Sequence, residues 1–241
     1  MKILIRFIQI SAIVVIIYAS FQLYMSSSKN QRIQHQYETL QQTYTFKDKN
    51  NKLRPQFEAL KAVNKDIHGW LHVEGTSLNY PVLQSKDNLD YLKRDFNKED
   101  SHKGSLFFDY RNNVKQLSYN TIIYGHHVGD GTMFDILPQY LKQDFYKLNP
   151  NIQFDTQFGK YRLEVLSAFQ TSTNDNYIQT RFTSKEAYRD FLYNTLKKSV
   201  IHTNVGITEK DKLITLSTCE DPIRDTEKRV VVVCKCVLIE V

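Results

Sequence analysis

The chain opens on a long apolar run. Between Phe7 and Ser28 there is no charged side chain, and the middle of the stretch reads IQISAIVVIIYASFQLYM. As a helix these residues extend about 33 Å, enough to cross a hydrocarbon core of about 30 Å. No A-x-A-type cleavage site follows, so the run predicts an uncleaved transmembrane anchor over 7–28. Further on, Ile33, Tyr37, Leu40 and Tyr44 recur at spacings of one helical face. The polar run KDKNNK at 47–52 interrupts that pattern, and Pro55 suits the first turn of a second helix with Phe57, Leu60 and Val63 inward. Two helices are thus expected between the anchor and the main domain.

From Gly69 the period changes. Short apolar and β-branched runs follow: WLHVE, LNYPVL, SLFFDY, NTIIYGHH, NIQFD, KYRLEVLSAF, KLITLST and RVVVVCKCVLIEV. Turn residues such as Glu74-Gly75-Thr76 and Phe158-Gly159-Lys160 separate many of them. About eight strands with few helices predict a mainly β fold, a closed antiparallel or mixed barrel. One helix interrupts the series. Thr183-Ser184-Lys185-Glu186 reads as its capping box, Tyr188, Phe191, Leu192 and Leu196 as its inner face, and Lys197 and Lys198 sit near its negative end.

Charge changes the picture at the N-terminus. Lys2 and Arg6 precede the anchor, which favours a cytoplasmic N-terminus and places the rest of the chain outside. The formal net charge is +6, and three of the excess positives, Lys2, Arg6 and Lys29, lie in the first 29 residues. The outward part is close to balanced and carries no basic block with interleaved aromatics, so nucleic acid is not an expected partner.

There are three cysteines. Cys234 and Cys236 lie two apart on a strand run and read as small buried hydrophobes rather than a disulfide. Cys219 is left without a partner. It ends an apolar strand at TLSTCED, where the backbone is fixed and the side chain can face solvent. His126 ends another such strand and enters a glycine-containing loop, GHHVGDG. Arg229 opens the last strand. If 211–218 and 229–238 pair as a hairpin, Arg229 falls beside Cys219. A thiol, an imidazole and a guanidinium at one barrel rim are the parts of cysteine-based acyl transfer, and the Glu220 N–H is a possible second oxyanion donor. Spacing alone leaves packing roles open for each of them. His126-His127 lacks companion ligands for a metal, and nothing calls for a cofactor.

DKLITLSTCEDPIRDTEKRVVVV at 211–233 resembles the signature of the sortases, T-L-x-T-C followed by Arg at the start of the next strand. NTIIYGHHVGDGTMF resembles the histidine segment of the same family. NKDIHGWLHVEGTSLNYPV at 64–82, KGSLFFDYRN at 103–112 and the helix between 183 and 198 resemble its class B branch. The resemblance covers nearly the whole chain.

It implies an eight-stranded sortase-type β-barrel with two N-terminal helices and one long helix between strands six and seven, preceded by the single anchor. The expected organisation is a cytoplasmic N-terminus at 1–6, the anchor at 7–28, an N-terminal helical segment at 29–68 and a catalytic barrel at 69–241, held at the cell membrane with the barrel extracellular. It also implies a Gram-positive cysteine transpeptidase. By carry-over Cys219 is the nucleophile, His126 the acid/base and Arg229 the residue that positions substrate or holds the oxyanion. The implied partners are a surface protein carrying an NPQTN-like sorting signal, often one for haem uptake, and an amine of the peptidoglycan cross-bridge. Asn88, Leu92, Tyr124, Thr173, Tyr177, Ile178, Ser217 and Glu220 are the expected substrate-binding residues. Cys234 and Cys236 stand where aliphatic residues are expected, and Pro222 and Ile223 follow the cysteine. Two rival readings are a membrane-anchored cysteine peptidase and a non-catalytic tethered binding module.

Overall fold

The structure, a computed structural model, describes residues 2–49, 52–219 and 227–240. The chain divides into two compact units, 1–43 and 44–241. The first is a helix, α1, which spans Lys2–Tyr44 and runs one residue into the second unit. The expected anchor and the first expected N-terminal helix are one uninterrupted element, because no glycine or proline lies between them to break it. It contains a stretch long and apolar enough to cross a membrane, with mean hydropathy 2.2. From Phe7 to Met25 large apolar side chains are exposed all round the helix, as suits lipid rather than one packed face.

The second unit begins with a short ribbon, β1 (Thr45–Lys47) against β2 (Leu53–Pro55), where the sequence suggested only a break. Pro55 closes β2 instead of opening the helix. Gln56 is the N-cap of α2 (Phe57–Val63), whose buried residue is Leu60.

Eight strands then close a barrel: β3 (Ile67–His72), β4 (Asn79–Leu83), β5 (Leu106–Phe108), β6 (Asn120–Tyr124), β7 (Asn151–Thr156), β8 (Gly159–Ser172), β9 (Lys212–Cys219) and β10 (Lys228–Glu240). Their order round the barrel is β10-β8-β7-β3-β4-β5-β6-β9. The barrel is mixed, with β4–β5 and β6–β9 parallel and the other pairs antiparallel.

The continuous apolar character of VVVV at 230–233 follows from burial on both faces. Val231 and Val233 belong to a cluster with Leu166, Phe169, Tyr188 and Leu192. Val230 and Val232, pointing the opposite way, are also buried. The partner helix, α4 (Lys185–Lys197), is capped by Ser184, whose side chain accepts a hydrogen bond from the Ala187 N–H at 3.1 Å. Its buried face is Tyr188, Leu192 and Thr195, while Leu196 is 39% exposed. It lies between the sixth and seventh barrel strands, β8 and β9, as the resemblance implies. The long connection between β6 and β7 carries a 3-10 turn at Leu137–Leu141 and α3 (Gln143–Leu148).

Candidate active site

The parallel pairing of β6 with β9 decides where the chemistry can sit. Parallel strands end at the same rim. Tyr124 at the end of β6 is in register with Ser217 on β9, and the Gly125 N–H reaches the Ser217 carbonyl at 3.3 Å. The chain therefore delivers His126 and Cys219, each two residues further on, to one edge of the barrel. The antiparallel β9–β10 ladder then pairs Cys219 directly with Arg229, and β8 brings Thr171 to the other side of Arg229.

A groove of about 240 Å³ opens at this rim. Of the expected substrate-binding residues, Asn88, Leu92, Tyr124, Thr173, Tyr177, Ile178 and Ser217 line it, together with His126 and Arg229. Glu220, Pro222 and Ile223 lie outside the described residues. Sequence reasoning missed Phe107 and Thr218, which also line the groove. Phe107 faces Tyr124 across the β5–β6 pair with ring centroids 5.4 Å apart. Alternation along the expected run SLFFDY was the available signal.

His126 is half-buried, and its Nε2 lies 2.7 Å from the Leu92 carbonyl. A carbonyl only accepts, so Nε2 carries a proton and Nδ1 is the nitrogen left to exchange one. The loop after His126 is closed by a carboxylate. Asp135 accepts hydrogen bonds from the backbone N–H groups of Val128 (2.5 Å), Gly129 (2.9 Å) and Gly131 (2.7 Å). Phe134 N–H returns to the His126 carbonyl at 3.0 Å. Asp130 pairs with the buried Lys103 at 2.6 Å. The histidine thus rests on a strand end, a pinned loop and a carbonyl from a third segment.

The far wall is equally fixed. Asn120 Nδ2 donates to the carbonyls of Tyr177 (3.2 Å) and Gln179 (3.0 Å). The Tyr177 hydroxyl lies 3.0 Å from Ser217 Oγ. Below His126, Gly125 allows close packing. A Cβ there would stand 2.4 Å from Leu106 Cδ2 and 2.7 Å from Phe134 Cδ2. Gly125→Ala is expected to cost about 1–3 kcal/mol of stability by overpacking. It is also expected to lower turnover by shifting His126, with a thermal melt and kcat as the two readouts.

A larger cavity, about 670 Å³, lies at the opposite end of the β8–β10 ladder, lined in part by Lys52, Arg54, His72, Tyr161, Arg162 and Ile239. Size does not make it the reaction site. Among the described residues its lining includes no cysteine, serine or threonine. Three of its cations are committed: Lys52 to Glu74, Arg54 to Asp48 and Asp155, Arg162 to Glu164.

Comparisons with known proteins converge on one family. Residues 71–237 match the model of the sortase domain. The chain is 49% identical over 237 residues to sortase B of Staphylococcus aureus, covering 98% of this chain and 97% of that protein. It is 40% identical over 179 residues to sortase B of Listeria monocytogenes, covering 74% of this chain and 72% of that protein. Among solved structures, a Staphylococcus aureus sortase B–substrate complex superposes with a TM-score of 0.80 at 49% identity, covering 88% of this chain and 99% of that one. A sortase B complexed with triglycine superposes at 0.79, also at 49% identity, over 87% of this chain and 99% of that one.

Proposed function

The chain belongs to the sortase family of cysteine transpeptidases, with class B members as its relatives, and we propose that it cleaves an NPQTN-like sorting signal after Thr and passes the acyl fragment to an amine of the peptidoglycan cross-bridge. The observation that carries this reading is the meeting of β6, β9 and β10 at one rim, with Arg229 in register with Cys219 and His126 two residues beyond the Tyr124–Ser217 pair.

The steps follow from that arrangement. The thiolate of Cys219 attacks the carbonyl carbon of the signal's Thr. Negative charge grows on the carbonyl oxygen, and Arg229 is assigned to hold it. The carbon–nitrogen bond breaks as the leaving amine takes a proton from Nδ1 of His126, and a thioester remains. An incoming amine then attacks the thioester, gives a proton to the same nitrogen and releases Cys219. The neighbour bound to triglycine supports a glycine-type acceptor, and the substrate complex supports a peptide in the groove. Asn88, Leu92, Tyr124, Thr173, Tyr177, Ile178, Ser217 and Glu220 are assigned to signal binding.

The helix α1 is assigned as a single-pass anchor over 7–28 with residues 1–6 cytoplasmic, a helical segment to 68 and the barrel at 69–241 outside. The surface protein served is assigned to haem uptake on the family resemblance.

The test uses the full-length chain in detergent micelles, a peptide containing Asn-Pro-Gln-Thr-Asn, and triglycine present or absent. Mass spectrometry should show cleavage after Thr and a glycine adduct at the new terminus. Cleavage with water in both arms would make the protein a peptidase. An uncut peptide would remove the signal assignment.

A further inference from the structure

Asp109 lies directly behind the groove and takes no part in the steps above. It is fully buried, at 0% exposure. Its Oδ1 accepts from the Arg111 N–H at 2.9 Å and Arg111 Nε at 2.8 Å. Its Oδ2 accepts from Arg111 Nη2 at 2.7 Å, the Tyr124 hydroxyl at 3.0 Å and Asn88 Nδ2 at 3.1 Å. Arg111 Nη2 also donates to the Ile178 carbonyl at 3.2 Å. Three groove residues from three separate segments are therefore held by one ion pair.

The pair also fixes which way the polar groups point. Asn88 turns Nδ2 to Asp109, while its Oδ1 accepts from the Tyr110 N–H at 3.0 Å. Both ends of the amide are determined, and one N–H remains to offer. Tyr124 spends its proton on Asp109, so only oxygen lone pairs remain for a ligand. Burial and the Asp109 charge hold that phenol well above the usual tyrosine range, which keeps it a donor toward Asp109. Asp109 itself stays ionised, because the hydrogen bonds and charge of Arg111, with help from Asn88, outweigh its burial.

The groove thus presents a donor and an acceptor side by side. A carboxamide side chain matches both. A carboxylate has no proton for the acceptor and would face its oxygen lone pairs. We propose that the buried Asp109–Arg111 pair is a positioning element that makes this groove select a carboxamide over a carboxylate in the sorting signal. The proposal rests on the groove being the signal site.

The experiment measures kcat and KM of the full-length chain in micelles on three peptides: Asn-Pro-Gln-Thr-Asn, Asn-Pro-Glu-Thr-Asn and Asp-Pro-Gln-Thr-Asn. The wild-type chain should favour the all-amide peptide over at least one acidic peptide by about tenfold or more in kcat/KM. Asp109→Asn frees the Tyr124 proton to turn into the groove and leaves Arg111 without its counter-charge. That ratio should then move toward unity, mainly through KM. Tyr124→Phe removes the acceptor while Asp109 stays in place, and it should relax the same ratio. It decides the matter alone if Asp109→Asn gives no cooperative melt. A merely structural role predicts equal loss on all three peptides with the ratios kept, and that result overturns the proposal, as does a wild-type chain without amide preference. A wild-type chain that cuts none of the peptides instead removes the signal assignment and the proposal with it.

Discussion

Cys219→Ala is expected to slow cleavage of the Asn-Pro-Gln-Thr-Asn peptide by at least about 10⁴-fold, the scale seen when a covalent nucleophile is removed. His126→Ala should cost less, about 10²–10⁴-fold, because it removes proton transfer and leaves the thiol in place. The two losses should not add in the double variant if, as proposed, both residues serve one tetrahedral intermediate. Thiol labelling supplies an independent check. Burial pushes the Cys234 thiol far above its usual range, and burial with the nearby Cys236 keeps it protonated. Cys236 is only partly covered, yet burial pushes its thiol up to about 12. Neither holds an appreciable thiolate fraction at neutral pH. An alkylating reagent should therefore enter the native chain at one site, and Cys219→Ala should remove that site. Fast labelling that survives in Cys219→Ala, or peptide cleavage that survives in it, would sink the covalent mechanism.

The sequence displayed some of this more openly than the rest, for physical reasons. The eight strands were visible because β-branched residues fill them and turn residues separate many of them. The pairing of Arg229 with Cys219 was visible because an antiparallel hairpin leaves little freedom of register once both strand ends are placed. The seven described substrate-binding candidates came from a resemblance, and they share one groove.

Elements whose structure depends on distant partners were harder to read. Arg54 on the β2 ribbon is buried because Asp155, far along the chain, accepts from it at 2.7 Å. No local pattern carries that. Helix α3 is six residues long and buries none of them, so it has no apolar period to detect. On α4 the inner face turns toward Thr195 rather than Leu196, where the Thr195 carbonyl accepts from Ser167 Oγ at 2.9 Å. Asp109 was in plain view within KGSLFFDYRN. Its role is set by Asn88 and Tyr124, which only the closed barrel brings to it.

Arg229→Ala is expected to lower kcat by about 10²–10³-fold, the range for losing one oxyanion donor. Arg229 is the second residue of β10 and is half-buried, and its ladder partners are Cys219 on β9 and Thr171 on β8. The register is regular from Lys228 to Val233 against β8, with its first irregularity at Val233/Cys234, and from Arg229 to Cys236 against β9. A backbone held by two neighbours fixes where the side chain starts, and Arg229 Nη1 donates to the Lys228 carbonyl at 2.9 Å; under the proposed mechanism the guanidinium turns from there to the carbonyl of the bound signal. The buried valines of β10 begin one residue later, at Val230, so the melting temperature should stay close to wild type. Arg229→Lys should recover part of the loss. A lysine supplies the charge, but it cannot reproduce the planar fork that holds two acceptors at once. The division between kcat and KM then assigns the role. A fall in kcat with KM unchanged marks a group that acts on charge formed in the transition state. A rise in KM alone would make Arg229 a clamp for the bound peptide. Wild-type kinetics in Arg229→Ala would mean that the oxyanion is held elsewhere, and the backbone N–H of Glu220 would then be the donor to test.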